Sequence, residues 1–375
     1  MTRTALMMLV VCLAGGVRAQ APDAGERVAA RAELAAEAAP ADSSRGGTVV
    51  LPVLGYTPDT GLMFGGFALK FLYLDRGEGA RPSTLSPVVI YTLKNQVLAF
   101  LGADLNWGGG RWHASLVPGY QKFPDDWYGI GRDAPADPLD DYTPEQFSFE
   151  GMIERVTWGE LRLGLGLRAL KHQVLATGSG GALGGGVPGA ESTVLVVPGV
   201  LAAWDTRDNT WSPRRGRWLQ GSVGFSGDGL GGDYTYTDAT IDLRTYHPLG
   251  EGGALAGQVL LRSLDGTAPF FELPTLGGQS GLRGYQGARF RDAALALARV
   301  EWRSGPVWKR FGGVLFAGMG DVAPSAGRLT TAAGLTTVGL GLRWMVNPAE
   351  KVNIRMDFGF GNGDSGFYLS LGEAF

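Results

Sequence analysis

From residue 48 onward, apolar and polar side chains alternate with period two in stretches of about ten residues, each closed by turn formers. In "KVNIRMDFGF", Val352, Ile354, Met356, Phe358 and Phe360 share one face, and Asn353, Arg355, Asp357 and Gly359 the other. In "GFYLSLGEAF", Phe367, Leu369, Leu371 and Phe375 face one way, and Tyr368, Ser370 and Gly372 the other. The pattern predicts sixteen strands, over 48–56, 61–74, 85–94, 96–107, 111–121, 146–157, 160–170, 193–204, 216–227, 234–246, 253–264, 292–303, 307–319, 331–344, 350–360 and 364–375. Tight connections such as Gly108-Gly109-Gly110, Trp158-Gly159, Ser304-Gly305-Pro306 and Val346-Asn347-Pro348 contrast with the long ones at 122–145, 171–192 and 265–291. An even strand count with long loops gathered on one side predicts an all-β fold, a 16-stranded antiparallel transmembrane β-barrel. Charge turned inward and hydrocarbon outward is what lipid demands, and closure satisfies every backbone edge.

The N-terminus extends this picture. MTRTALMMLVVCLAGGVRAQ has a basic Arg3, an apolar core and a small-residue cleavage site at Val17-Arg18-Ala19, which predicts a secretory signal over 1–19. Residues 20–47, rich in Ala, Glu and Arg, read as a short periplasmic tail, leaving 48–375 as the barrel. Cys12 lies in the signal, with Val11 before it where a lipoprotein signal needs a small residue. The mature chain is therefore expected to hold no thiolate metal site, no disulfide and no cofactor. The 61 glycines of the full sequence follow no collagen period, and its ten tryptophans argue against disorder. A net charge of −3 excludes a nucleic-acid face. Trp204, Trp211, Trp302, Trp308 and Trp344 stand near segment ends, where an interfacial girdle would place them.

Between the eleventh and twelfth segments lies "GGQSGLRGY", a glycine-rich stretch carrying the single guanidinium of Arg283. Leu282-Arg283-Gly284-Tyr285 at this place resembles the sixth-loop signature of the Omp85 superfamily, the family of the outer-membrane assembly barrel and its bacterial surface antigen relatives. "RMDFGFGNGDSGFYLSLGEAF" looks like that family's final hairpin, ending on an aromatic, Phe375, that barrel-assembly machinery reads. "DTRDNTWSPRRG" at 205–216 and "YGIG" at 128–131 are similar to family turns and loops. Two departures stand out. Residues 20–47 are too few for the periplasmic POTRA modules of relatives, and Gly318, in Phe316-Ala317-Gly318-Met319-Gly320, stands where relatives often place an Asp on strand thirteen.

The resemblance implies that the sixth loop folds into the lumen and that Arg283 docks on the inner wall. Four acids share the inward parity: Asp357 and Glu301, ranked first, then Asp242 and Asp238. A charge-assisted contact of this kind contributes about 1.5–3 kcal/mol. Gly284 lets the backbone turn beside the wall and Tyr285 packs there, so that the latch holds the barrel closed and in register. The family's activity implies help for client polypeptides into or across the outer membrane of a diderm bacterium, through a seam between strands one and sixteen. The implied partners are outer-membrane lipids, barrel-assembly machinery, client chains and a periplasmic recruiter. The alternatives are a plugged pore or a surface-exposed structural barrel. An enzyme is not expected: His113, His172 and His247 are scattered, and "GFSGDG" and "GGQSG" both miss the nucleophile-elbow pattern. The acidic loop 122–145 meets no metal-ligand spacing and reads as a solvated charge run.

Overall fold

Alternating side chains commit each segment to a two-faced strand, and glycines or positive-φ residues fold the chain back between them. The computed structural model describes residues 10–11, 48–57, 61–75, 83–178, 181–184, 186–209, 212–331, 334–347 and 351–375. The expected signal and the 20–47 tail lie outside the described residues, except for Val10 and Val11, which pair in parallel with Leu54 and Gly55. Trp211 also lies outside them.

Sixteen long strands form one antiparallel sheet. They are β1 (Thr48–Thr57), β2 (Gly61–Leu72), β3 (Ser83–Thr92), β4 (Val97–Trp107), β5 (Trp112–Lys122), β6 (Asp140–Trp158), β7 (Leu161–Thr177) and β8 (Thr193–Asp205). There follow β9 (Gly216–Ser226), β10 (Tyr236–Leu249), β11 (Gly253–Gly266), β12 (Ala294–Trp308), β13 (Phe311–Ala323), β14 (Leu335–Asn347), β15 (Val352–Phe360) and β16 (Ser365–Leu371). Each strand pairs with its sequence neighbour from β1 to β16. Among the described residues, no ladder register joins β16 back to β1.

The cross-strand register sorts the two faces. Leu315, Leu340, Phe358 and Phe367 lie in one row across β13–β16, and Ile153, Leu165, Val200 and Val223 in another across β6–β9. Leu315, Leu340, Phe358, Leu165 and Val200 are exposed, forming the apolar belt of a membrane barrel. At the short-turn end, Trp158, Trp204, Trp302 and Trp308 are exposed, and Trp308, Phe311 and Trp344 stack in succession, as an interfacial girdle requires.

Four details differ from the sequence reading. β6 begins at Asp140 and β7 runs to Thr177, so this hairpin extends into what alternation alone marked as loop; a three-residue ribbon, Asp125–Trp127, pairs with its base. The Ser304-Gly305-Pro306 turn is instead a register shift inside β12, and the chain reverses after Trp308, where Lys309 takes φ +52°. The lumen is not wet throughout. Val88, Ile90, Leu98 and Phe100, on the inward faces of β3 and β4, are buried together, because that wall fills its own interior. Lastly, Phe375 does not share the outward face of Phe367. β16 stops at Leu371, Gly372 turns at φ +73°, and Phe375 is tucked inside at 6% exposure against Tyr246 and Ala256.

Candidate functional site

The connection from β11 to β12, residues 267–293, is anchored twice on the inner wall. Its first anchor is aromatic. Phe270 packs edge-on against Trp127 and Tyr142, at ring-centre distances of 5.1 and 5.5 Å, and Phe271 stacks on His172 at 3.9 Å. Beside it, Glu272 accepts from Arg168 at 2.6 Å and from the Tyr236 hydroxyl at 3.2 Å. These partners come from β6, β7, β10 and the 123–139 loop, so the start of the connection is fixed to one side of the lumen.

The second anchor is Leu282-Arg283-Gly284-Tyr285, on the opposite side. Arg283 is 1% exposed, and its two terminal nitrogens donate separately, Nη1 to Asp357 on β15 and Nη2 to Glu301 on β12. Both acids are 0% exposed. The guanidinium carbon lies 3.6 Å from the centre of the Phe316 ring on β13, a cation–π contact in a desolvated setting. Asp357 also accepts from Arg343 at 2.6 Å, and Glu301 accepts from Arg303 at 3.0 Å, so neither acid depends on a single partner. Arg303 in turn donates to the Phe375 carbonyl at 2.9 Å, and Glu373 accepts from Arg343 at 2.8 Å and Asn353 at 2.8 Å.

The backbone of the tetrad is held as firmly as its side chain. Thr337 donates to the Arg283 carbonyl. The Tyr368 hydroxyl accepts from the Gly284 amide at 2.9 Å and donates to the Tyr285 carbonyl at 3.1 Å. The Tyr285 hydroxyl donates to Thr336 and accepts from the Asn362 amide, each at 2.9 Å. Gly284 takes φ +122°, open only to glycine at low cost. Across from it, a Cβ on Gly359 would overlap the Arg283 carbonyl, so the loop lies directly on bare strand backbone.

The departure at strand thirteen now has a steric meaning. A Cβ at Gly318 would approach Leu282 Cδ2 to 3.0 Å; the position that would carry an acid instead receives the buried Leu282. Leu282 and Tyr285 join Leu276, Phe290, Leu295, Leu297 and Val322 in an apolar cluster that also takes in Tyr128, from the "YGIG" loop. Asp357 supplies the second carboxylate from β15.

Asp242 and Asp238 do not touch Arg283. Asp242 pairs with Arg244 at 2.6 Å and accepts from Gln258 at 2.9 Å, while Asp238 pairs with Arg262 at 2.9 Å and Arg168 at 3.3 Å. Both share the inward parity, yet each has a nearer arginine, Arg244 on the same strand for Asp242 and Arg262 on the neighbouring strand for Asp238. Sequence reasoning missed Thr337, Tyr368, Phe316 and the Arg289–Asp364 ion pair. Inward glycines at Gly359 and Gly361 were the available signal, since a wall without side chains invites a chain to lie on it. His113 is also less isolated than its spacing indicates: it lies 2.7 Å from Asp104 and 3.1 Å from Glu154 on the inner wall of β4–β6. Just ahead of β12, burial pushes the Asp292 carboxyl up from its ordinary range.

Residues 199–375 match the model of the Omp85 superfamily domain. The fold is similar to a crystal structure of BamA from Haemophilus ducreyi lacking POTRA domains 1–3, with a TM-score of 0.57 and 14% identity, covering 87% of this chain and 70% of that one. It is also similar to CdiB from Acinetobacter baumannii, with a TM-score of 0.54 and 13% identity, covering 87% of this chain and 59% of that one. No curated protein matches.

Proposed function

Starting from a barrel whose residues 199–375 form an Omp85 superfamily domain, we propose that the protein assists polypeptides into or across the outer membrane. The docked loop stiffens one wall while the seam between β1 and β16 stays free to open. The observation that carries this reading is the placement of the loop contacts. Among the described residues, the tetrad binds β12, β13, β14, β15 and β16 through Glu301, Phe316, Thr337, Asp357 and Tyr368, all on one side of the seam. These contacts brace the wall on that side. β16 itself has seven residues against ten or more in β1 and β2, so its ladder holds fewer hydrogen bonds to break. An opened edge there offers backbone donors and acceptors to a client strand.

The test is reconstitution into liposomes, following the folding of a small outer-membrane porin with conductance recorded on the same preparation. The reading expects accelerated client folding that an engineered disulfide between β1 and β16 abolishes and reductant restores. Acceleration indifferent to that disulfide would remove the seam from the mechanism. Large conductance without acceleration would favour a pore.

A further inference from the structure

On the lipid-facing side, directly behind the docked loop, the wall of β11–β13 is hollowed. Alternation turns Ala296 and Ala298 of β12 outward between Val259 and Leu261 on β11 and Met319 on β13, and these small side chains leave a groove in the apolar belt. Residues 324–331 fold back over its upper end, bringing Leu329, Thr330 and Thr331 against it, and the resulting crevice encloses about 210 Å³. Val259, Leu261 and Met319 are themselves exposed, so the crevice is continuous with the surface that meets hydrocarbon.

A carboxylate sits at its head. Asp321 follows the outward parity of Met319 yet is only 4% exposed. Its Oδ2 accepts from the Thr330 amide at 2.8 Å and pairs with Arg132 at 3.1 Å, while its buried Oδ1 has no hydrogen-bond partner among the described residues. A buried carboxylate oxygen left unsatisfied at the edge of hydrocarbon is costly and calls for a donor. Apolar walls below and an unspent acceptor above match one kind of occupant in a bilayer.

We propose that this crevice is a lipid site: it takes one acyl chain of a phospholipid from the surrounding leaflet, whose headgroup donates a hydrogen bond to Asp321 Oδ1. The site stands apart from polypeptide handling, since it lies on the outer surface of the wall whose inner surface holds the loop.

The barrel is placed in nanodiscs of phosphatidylethanolamine, whose ammonium donates, or of phosphatidylcholine, whose quaternary nitrogen has no N–H. Each carries a trace of the same lipid with a photoreactive acyl chain, and labelled peptides are mapped by mass spectrometry. Phosphatidylethanolamine should label the segments around 259–261, 296–298 and 319 about tenfold above equal belt area on β6–β8, the ratio that one charge-assisted hydrogen bond sustains. Ala298→Phe should bring the crevice down to the belt average without changing labelling elsewhere. Asp321→Asn, which keeps the shape, should make the two lipids indistinguishable there and provides the readout if Ala298→Phe does not fold. Even labelling of the whole belt, or preference for phosphatidylethanolamine unchanged by Asp321→Asn, would overturn the proposal.

Discussion

The wall of β12–β16 and the wall of β3–β4 solve the same problem with opposite materials. Both must fill the lumen behind them, because a void forfeits packing contacts and an unpaired polar group is expensive. β3 and β4 fill it locally with Val88, Ile90, Leu98 and Phe100, and partly buried Phe67 and Val117 pack against them. β12–β16 instead present glycines and charges: Gly339, Gly341 and Gly359 beside Glu301, Arg343 and Asp357. Such a wall cannot bury itself. It becomes stable when a chain from elsewhere brings apolar bulk and a matching cation, and Leu282, Arg283 and Tyr285 do so. A self-filled wall is autonomous, whereas a wall completed by a loop is coupled to that loop and to whatever moves it.

The largest effect expected from that difference is at Arg283. Arg283→Ala leaves Glu301 and Asp357 buried with one cation fewer each, and should cost about 3–5 kcal/mol. Thermal unfolding in detergent micelles should show the loss, and the 267–293 loop should become open to protease while β3–β4 stays protected. A parent-like melting point would dissolve the contrast between the walls. Phe100→Ala attacks the other wall and should cost about 3 kcal/mol as a cavity. Its sharpening outcome is that loop protection does not change; exposure of the loop would mean that the walls are not independent.

Gly359→Ala tests the bare backbone under the loop. The added methyl must displace Arg283, at about 1–3 kcal/mol, whereas Gly66→Ala on β2, with nothing among the described residues within 4 Å of the new Cβ, should stay within about 0.5 kcal/mol. Equal effects in a melting experiment would show that the glycines serve only sheet curvature. The smallest loss expected at the docked loop is from Tyr368→Phe, which strips one hydroxyl from the Gly284 amide and the Tyr285 carbonyl and should cost about 1–2 kcal/mol. Hydrogen exchange at the Gly284 amide should quicken without global loosening; an unaltered rate there would mean that the bond carries no weight.

Strand content was legible because a two-residue period is written in every strand. Parity likewise placed Glu301 and Asp357 on the inner face before any contact was known. Parity could not choose among acids, since Asp238 and Asp242 obey it equally; cross-strand register sets Asp238 beside Arg262, and Asp242 pairs with Arg244 two residues along its own strand. Thr337 and Tyr368 stayed hidden because nothing local distinguishes a wall residue that receives a loop from one that meets water. Phe375 was misplaced because alternation was extended past Gly372, where a single left-handed residue turns the chain inward.

By itself, the order of residues determined which segments become strands, which side of each meets hydrocarbon, and where the chain must reverse, because those outcomes depend on neighbours one to four positions away. Only the tertiary structure decided that one wall fills itself while the other waits for a loop. It also decided that Arg283 rests between acids 18 and 74 residues distant, and that the chain's last residues turn into the lumen. Those choices arise from volume and charge left over once the strands are assembled, which no local pattern encodes.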